Sequence, residues 1–167
     1  MTTTMLTLIA SLFSGMLFIY IINLFVNSRL KKKLSENETP ITINILKAVL
    51  FISGGLLISE ILNPFQTLIN VLPASISGNE LLLNEIMYYS LYLGILLLVF
   101  IIILWISILM FGIISKGKNI FIETANNNLN DVLLFIAIMI ALVFAAKSGI
   151  TPLLDLFIPY PELPIYH

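Results

Sequence analysis

Cysteine is absent from this chain, which removes disulfides, thiolate metal sites and cysteine nucleophiles from consideration. Charge is scarce as well. Only 10% of the residues are Asp, Glu, Lys or Arg, against about a quarter in soluble domains. Hydrophobic residues make up 59% and the mean hydropathy is +1.07, so the chain reads as one dissolved mainly in lipid. A net charge of −1 gives no sign of a nucleic-acid partner. Histidine occurs once, at His167, without an acidic or nucleophilic neighbour at useful spacing. No glycine-rich phosphate loop, metal-ligand cluster or serine–histidine arrangement appears either. The expectation is a non-enzymatic protein without catalytic residues, cofactor or metal.

What is present is a set of long apolar runs. A membrane helix needs about 20 mostly apolar residues to cross a core roughly 30 Å thick. Four segments qualify, at 5–26, 41–62, 87–114 and 129–150. The third is the plainest, since 30 residues between Glu85 and Lys116 carry no charge, and it is long enough to tilt or protrude. The second and fourth each hold two charges, Lys47 with Glu60 and Asp131 with Lys147. These lie near the expected ends, where long side chains reach the headgroups. The first run is expected to be an anchor and not a signal peptide, because Met1-Thr2-Thr3-Thr4 has no positive charge and the basic cluster follows the run.

Basic residues in short loops set the orientation. The turn 27–40 holds Arg29, Lys31, Lys32 and Lys33, and the turn 115–128 holds Lys116 and Lys118. The connection 63–84 holds none, and the tail has only Lys147 at its start. Both turns are therefore expected in the cytoplasm and both termini outside.

The segments also repeat. An offset of 84 residues carries Asn44-Ile45-Leu46-Lys47 onto Asn128-Leu129-Asn130-Asp131 and Phe51 onto Phe135; Glu38-Thr39 meets Glu123-Thr124 at an offset of 85. The expected fold class is an all-α membrane protein of four transmembrane helices, a tandem, parallel duplication of a helical hairpin. Residues 1–167 form one membrane domain, with repeats over about 5–62 and about 87–150. Even-numbered crossings keep both repeats in the same orientation, unlike the inverted repeats of many transporters. The connection 63–84 is amphipathic, with Phe65, Leu68, Ile69, Val71 and Leu72 among Gln66, Thr67 and Asn70 between Pro64 and Pro73. A short interfacial helix is expected there. The tail 151–167 holds four of the seven prolines and reads as extended after an apolar turn at Leu153 to Phe157.

The paired hairpins, the entry Asn126-Asn127-Asn128 and the ending Phe157-Ile158-Pro159-Tyr160-Pro161-Glu162-Leu163-Pro164 together resemble one family. It is the bacterial membrane family called domain of unknown function 350, whose unit is a pair of transmembrane helices. The resemblance covers nearly the whole chain. It implies a multi-pass protein of the bacterial inner (cytoplasmic) membrane with no catalytic residues, and supplies no mechanism.

Ionisable residues inside spans cost about 2.5–3.5 kcal/mol near a helix centre, so they are candidates by default. Lys47 and Asp131 share a rung of the repeat, and Glu60 and Lys147 lie towards the outer side of the same two helices. Two ion pairs between neighbouring helices, independent snorkelling, and a role in ion passage are the three readings. Asn44 and Asn128 share a face with Lys47 and Asp131; capping of the helix starts is the plain role for both. Small residues mark packing faces: Ala137, Ala141 and Ala145, Gly55 and Ser59, Ser11 and Gly15. Glu80, Glu85, Asp155 and Glu162 would stand on the outer side as solvating charges or a weak cation-attracting rim. The partners expected are the lipid bilayer and a second copy or another membrane protein. An oligomeric channel or small-solute conduit leads, a scaffold or accessory subunit follows, and a lipid-acting enzyme lacks its acid–base set.

Because the native chain has no cysteine, topology can be checked directly. Ser75→Cys should react with an impermeant thiol reagent added outside intact cells, and Ser35→Cys should be spared. Labelling of Ser35→Cys would reverse the orientation.

Overall fold

Apolar runs of this length leave their backbone no water to bond to, so each must satisfy its N–H and C=O groups internally, as a helix does. The computed structural model describes residues 2–30, 40–72 and 79–159, and every regular element among them is helical. They are α1 (Thr2–Leu30), α2 (Ile41–Ile58), a 3-10 turn (Ser59–Ile61), α3 (Leu62–Val71), α4 (Asn79–Ile114), α5 (Ile120–Ala125) and α6 (Leu129–Asp155). Four stretches are long and apolar enough to cross a membrane: Thr7–Leu30, Ile41–Val71, Glu80–Ile114 and Leu129–Asp155. That is the pattern of a multi-pass membrane protein.

The helices overrun the expected segments. The first continues past Val26 to Leu30, with Arg29 in its last turn, where a cation suits the helix dipole. α4 starts at Asn79 instead of Met87, with Glu80 in its first turn. Its 36 residues span about 54 Å at about 1.5 Å per residue, well beyond a hydrocarbon core. α6 does not stop at Ile150. It runs to Asp155 and takes Pro152 in near its end, where the exposed ring costs one backbone bond.

The connection 63–84 is helical at both ends, and α3 turns its apolar face inward. Pro64, Phe65, Leu68 and Ile69 are buried, and α3 packs on α1, α4 and α6. The apolar face expected to lie in the lipid interface lies on protein. Pro64 explains the break before α3: its ring crowds the carbonyl four residues back, at Glu60, and the helix tightens there into a 3-10 turn. Residues 31–39 and 160–167 lie outside the described residues, and with them most of the basic turn, the Glu38-Thr39 match, Glu162 and the proline-rich end of the tail.

α1 packs on α2, α2 on α6 and α6 on α4, so α2 and α6 form the central pair. Buried residues recur at helical spacing along these seams: Leu46, Leu50 and Leu57 on α2, Tyr92, Leu96 and Phe100 on α4, Phe135, Met139 and Val143 on α6. Two aromatic pairs lock α4 to its neighbours edge to face, Phe18–Phe100 at 5.1 Å and Phe111–Phe135 at 6.1 Å between centroids. Each contributes about 0.5–1.5 kcal/mol beyond its area.

Gly54 marks the closest approach of α1 and α2: a Cβ there would stand 2.6 Å from Phe18 Cδ1. Next to it Gly55 has open space. Gly54→Ala should therefore destabilise the bundle by about 1–3 kcal/mol, and Gly55→Ala should not. Detergent unfolding followed by circular dichroism measures both. Equal effects would show that Phe18 yields freely.

Candidate functional site

Polar side chains gather at both ends of the seam between α2 and α6. At one end Lys147 Nζ stands 3.3 Å from Glu60 Oε1. The Thr151 hydroxyl donates to Glu60 Oε2 at 2.9 Å and lies 3.4 Å from the Glu60 carbonyl. That carbonyl is the one whose α-helical partner would be an N–H at Pro64, which proline lacks. The proline that tightens the helix thus creates the acceptor that Thr151 approaches. Both charged side chains stay partly exposed.

At the other end the turn into α6 folds back on itself. Gly117 and Asn127 take left-handed backbone, at φ 86° and 57°, a conformation that glycine and asparagine adopt most easily. The Gly117 N–H donates to the Gly112 carbonyl at 2.7 Å, closing α4. Lys118 then reaches Asp131, Nζ to Oδ2, at 2.6 Å. Asn128 caps α6 by accepting from the Asp131 N–H, and its amide donates to Asp131 at 2.7 Å and to Glu123 at 2.9 Å. The hydrogen bond from Lys118 to Asp131 raises the lysine above its ordinary 10.5, so the ammonium keeps its charge at neutral pH. From α2, buried Thr42 donates to the Thr124 carbonyl at 2.7 Å and lies 3.2 Å from Asn127 Oδ1.

The expected Lys47–Asp131 pair is not formed. Asp131 is held by Lys118, and Lys47 makes no ion pair among the described residues. Register explains this: Lys47 sits in the second turn of α2, whereas Asp131 sits in the first turn of α6. A lysine in the adjoining turn also closes a far shorter loop. Asn44 does not cap α2, whose N-cap residue is Pro40 and which has no side-chain cap; Asn44 is exposed. Glu85, expected among the solvating charges, is buried, while Glu80 is exposed and Asp155 half-buried.

The small residues also point elsewhere than expected. Ala137, Ala141, Ala145, Gly55 and Ser59 are exposed, and Ser11 and Gly15 half-buried, so they do not mediate the closest contacts inside the chain. That work falls to Gly54 and Ser14. The Ser14 and Tyr89 hydroxyls lie against each other, each 2.7 Å from the Ala10 carbonyl; their two protons make two of the three bonds at a time, one hydroxyl donating to the carbonyl and the other either to the carbonyl or to its neighbour. Ser107 on α4 approaches Met139 Sδ on α6 at 3.2 Å.

The outward faces fall into two kinds. α1 and α4 expose large apolar residues such as Leu12, Phe13, Met16, Ile101, Trp105 and Ile113. From α2 through α3 the exposed positions read Ile41, Asn44, Ala48, Ile52, Gly55, Ser59, Asn63, Gln66 and Asn70, with Ile41 and Ile52 the two large apolar side chains. This stripe is visible in the sequence as mostly polar or small residues three and four apart, although Asn44, Gly55 and Ser59 on α2 and Gln66 and Asn70 in the connection read there as separate features. Among the described residues no group of three acidic or histidine side chains is placed to hold a metal.

No protein-family model, curated protein or solved structure matches the chain. The resemblance to domain of unknown function 350 rests on the residues quoted for it alone.

Glu60 and Lys147 should be strongly coupled. Glu60→Gln and Lys147→Met should each destabilise, and the double change should cost about 0.5–3 kcal/mol less than their sum. The same cycle on Lys47 and Asp131 should be additive. Unfolding in detergent measures both cycles, and additive losses at Glu60 and Lys147 would reduce their contact to coincidence.

Proposed function

We propose that this protein is a non-enzymatic, oligomeric conduit for small solutes, whose water-exposed path is lined by the outer face of α2, α3 and α6. The observation that carries this reading is the contrast between outward faces. Lipid suits the leucines, isoleucines and aromatics of α1 and α4. It suits poorly Asn44, Asn63, Gln66 and Asn70, whose side-chain amides must each find hydrogen-bond partners. Water in a path between copies supplies one. The exposed Ala137, Ala141 and Ala145 on the neighbouring α6 leave room for such a path beside them.

The same proposal includes an origin by duplication, with α1–α2 and α4–α6 as the two hairpins and α2 and α6 in equivalent places. It sets the protein in a bacterial cytoplasmic membrane, with the basic turns inside and the termini outside. The basic asymmetry of the loops and the resemblance to the two-hairpin family support these parts. A scaffold is the second reading: the alanine stripe on α6 lets a helix of another membrane protein approach closely.

Purified protein in liposomes distinguishes the two. A thiol reacts as its thiolate, which forms in water and not in lipid, so Gly55→Cys and Ser59→Cys should react with an impermeant reagent at least about tenfold faster than Ile101→Cys. Their modification should slow solute efflux. Equal rates, with efflux no faster than from empty liposomes, would overturn the conduit. Disulfide capture of a different membrane protein through Ala141→Cys, without efflux, would favour the scaffold.

A further inference from the structure

A second feature of the bundle lies on its opposite side. α1 and α4 touch through Phe18–Phe100 and through Tyr89 on Ser14 and Ala10, but are not a closely packed helix pair along their length; Phe18, Phe25, Phe100 and Trp105 line the space beside these contacts. Between them opens a cleft of about 670 Å³ with these rings in its walls and Ser28, Arg29 and Asn119 at one end. We propose that this cleft binds one anionic phospholipid, with an acyl chain along the rings and the phosphate on Arg29.

Length, polarity and charge each fit this occupant. The α1 wall runs from Phe18 to Arg29 and the α4 wall from Leu97 to Ile108, about 16 Å along each helix at about 1.5 Å per residue. That is about half of a 30 Å hydrocarbon core, the depth of one leaflet. The polar residues all stand at the end that would meet the headgroups. Beside the cleft the exposed residues of both helices are large and apolar, so a lipid enters sideways from the bilayer without crossing a polar surface. No acidic residue lines the cleft. The Arg29 guanidinium makes no ion pair among the described residues and lies 5.6 Å from the Phe25 ring centre, a contact that leaves its N–H edges for an anion. Asn119 uses its side-chain oxygen to accept from the Phe121 N–H, which leaves its amide donors for the same phosphate. Basic pockets between membrane helices on the cytoplasmic side bind anionic headgroups on this principle.

The chain has a single tryptophan, Trp105, and it lines the cleft. In nanodiscs of phosphatidylcholine containing a small fraction of brominated lipid, brominated phosphatidylglycerol should quench Trp105 more than brominated phosphatidylcholine does. The difference should correspond to about a fivefold preference, the factor expected of one basic residue at a headgroup. Arg29→Gln should abolish the preference, and Arg29→Lys should retain most of it. Lys116→Gln, at an exposed position on the other turn, should leave it intact. Equal quenching by the two lipids in the native protein would overturn the proposal. So would a preference that survives Arg29→Gln, or one that Lys116→Gln reduces as much, since diffuse attraction would then explain it. Absence of quenching by either lipid would place a protein surface, such as a second copy, over the cleft instead.

Discussion

The seam between α2 and α6 holds the two hairpins together, and it is tied at both ends by polar contacts. One end has Glu60, Lys147 and Thr151; the other has Thr42 bonded to the Thr124 carbonyl beside the Lys118–Asp131 pair. Between the ends the contacts are apolar. Lipid tails compete with such contacts almost evenly, so apolar packing alone sets helix position weakly in a bilayer. Polar contacts at two depths fix rotation and register together. Once α2 and α6 are fixed, α1 and α4 can be held by shape, as the rings of Phe18–Phe100 and Phe111–Phe135 hold them.

This arrangement divides the surface. With α1 and α4 flanking the seam, their outward faces carry the large apolar side chains, and the α2–α3 face carries small and polar ones. Burying α3 against α1, α4 and α6 lengthens that polar face beyond α2, because Asn63, Gln66 and Asn70 continue the line of Asn44 and Ser59. Pro64 serves both features: it tightens the helix so that α3 can follow α2, and it leaves the Glu60 carbonyl beside Thr151.

The helices and their approximate spans were legible because hydropathy and length act on every residue of a segment. The ends were less so. Glu80 and Pro152 argue locally for a stop, yet α4 starts before the first and α6 runs through the second. Pairing Lys47 with Asp131 takes a sequence offset for a spatial register, and the two differ, with Lys47 in the second turn of α2 and Asp131 in the first turn of α6. Glu60 and Lys147 are not related by that offset; their position towards one end of the same two helices brought them together as candidates, and there the structure holds a contact. The small-residue faces were visible as spacing, but spacing cannot say which way a face turns. Gly54 and Gly55 are adjacent and identical, and only the position of Phe18 separates a contact from open space.

Polar groups in the apolar body of this chain therefore fall into three sets with different degrees of compensation. Those at the ends of the α2–α6 seam satisfy one another within the chain. Arg29, Ser28 and Asn119 stand at the mouth of a cleft, where a headgroup phosphate and interfacial water supply partners at little cost. The third set, from Asn44 to Asn70 along α2 and α3, lies on an exposed face, with Gly55 and Ser59 about midway along the apolar stretch Ile41–Val71. Serine can return its proton to its own helix, and Ser59 does, donating to the Leu56 carbonyl at 2.6 Å. Gly55 carries nothing that needs a partner. The middle of the stripe is thus tolerable in either lipid or water, while the asparagines and glutamine towards its ends favour water. In the conduit proposed above such a face opens around a file of water, and in the scaffold reading its small residues close against another helix.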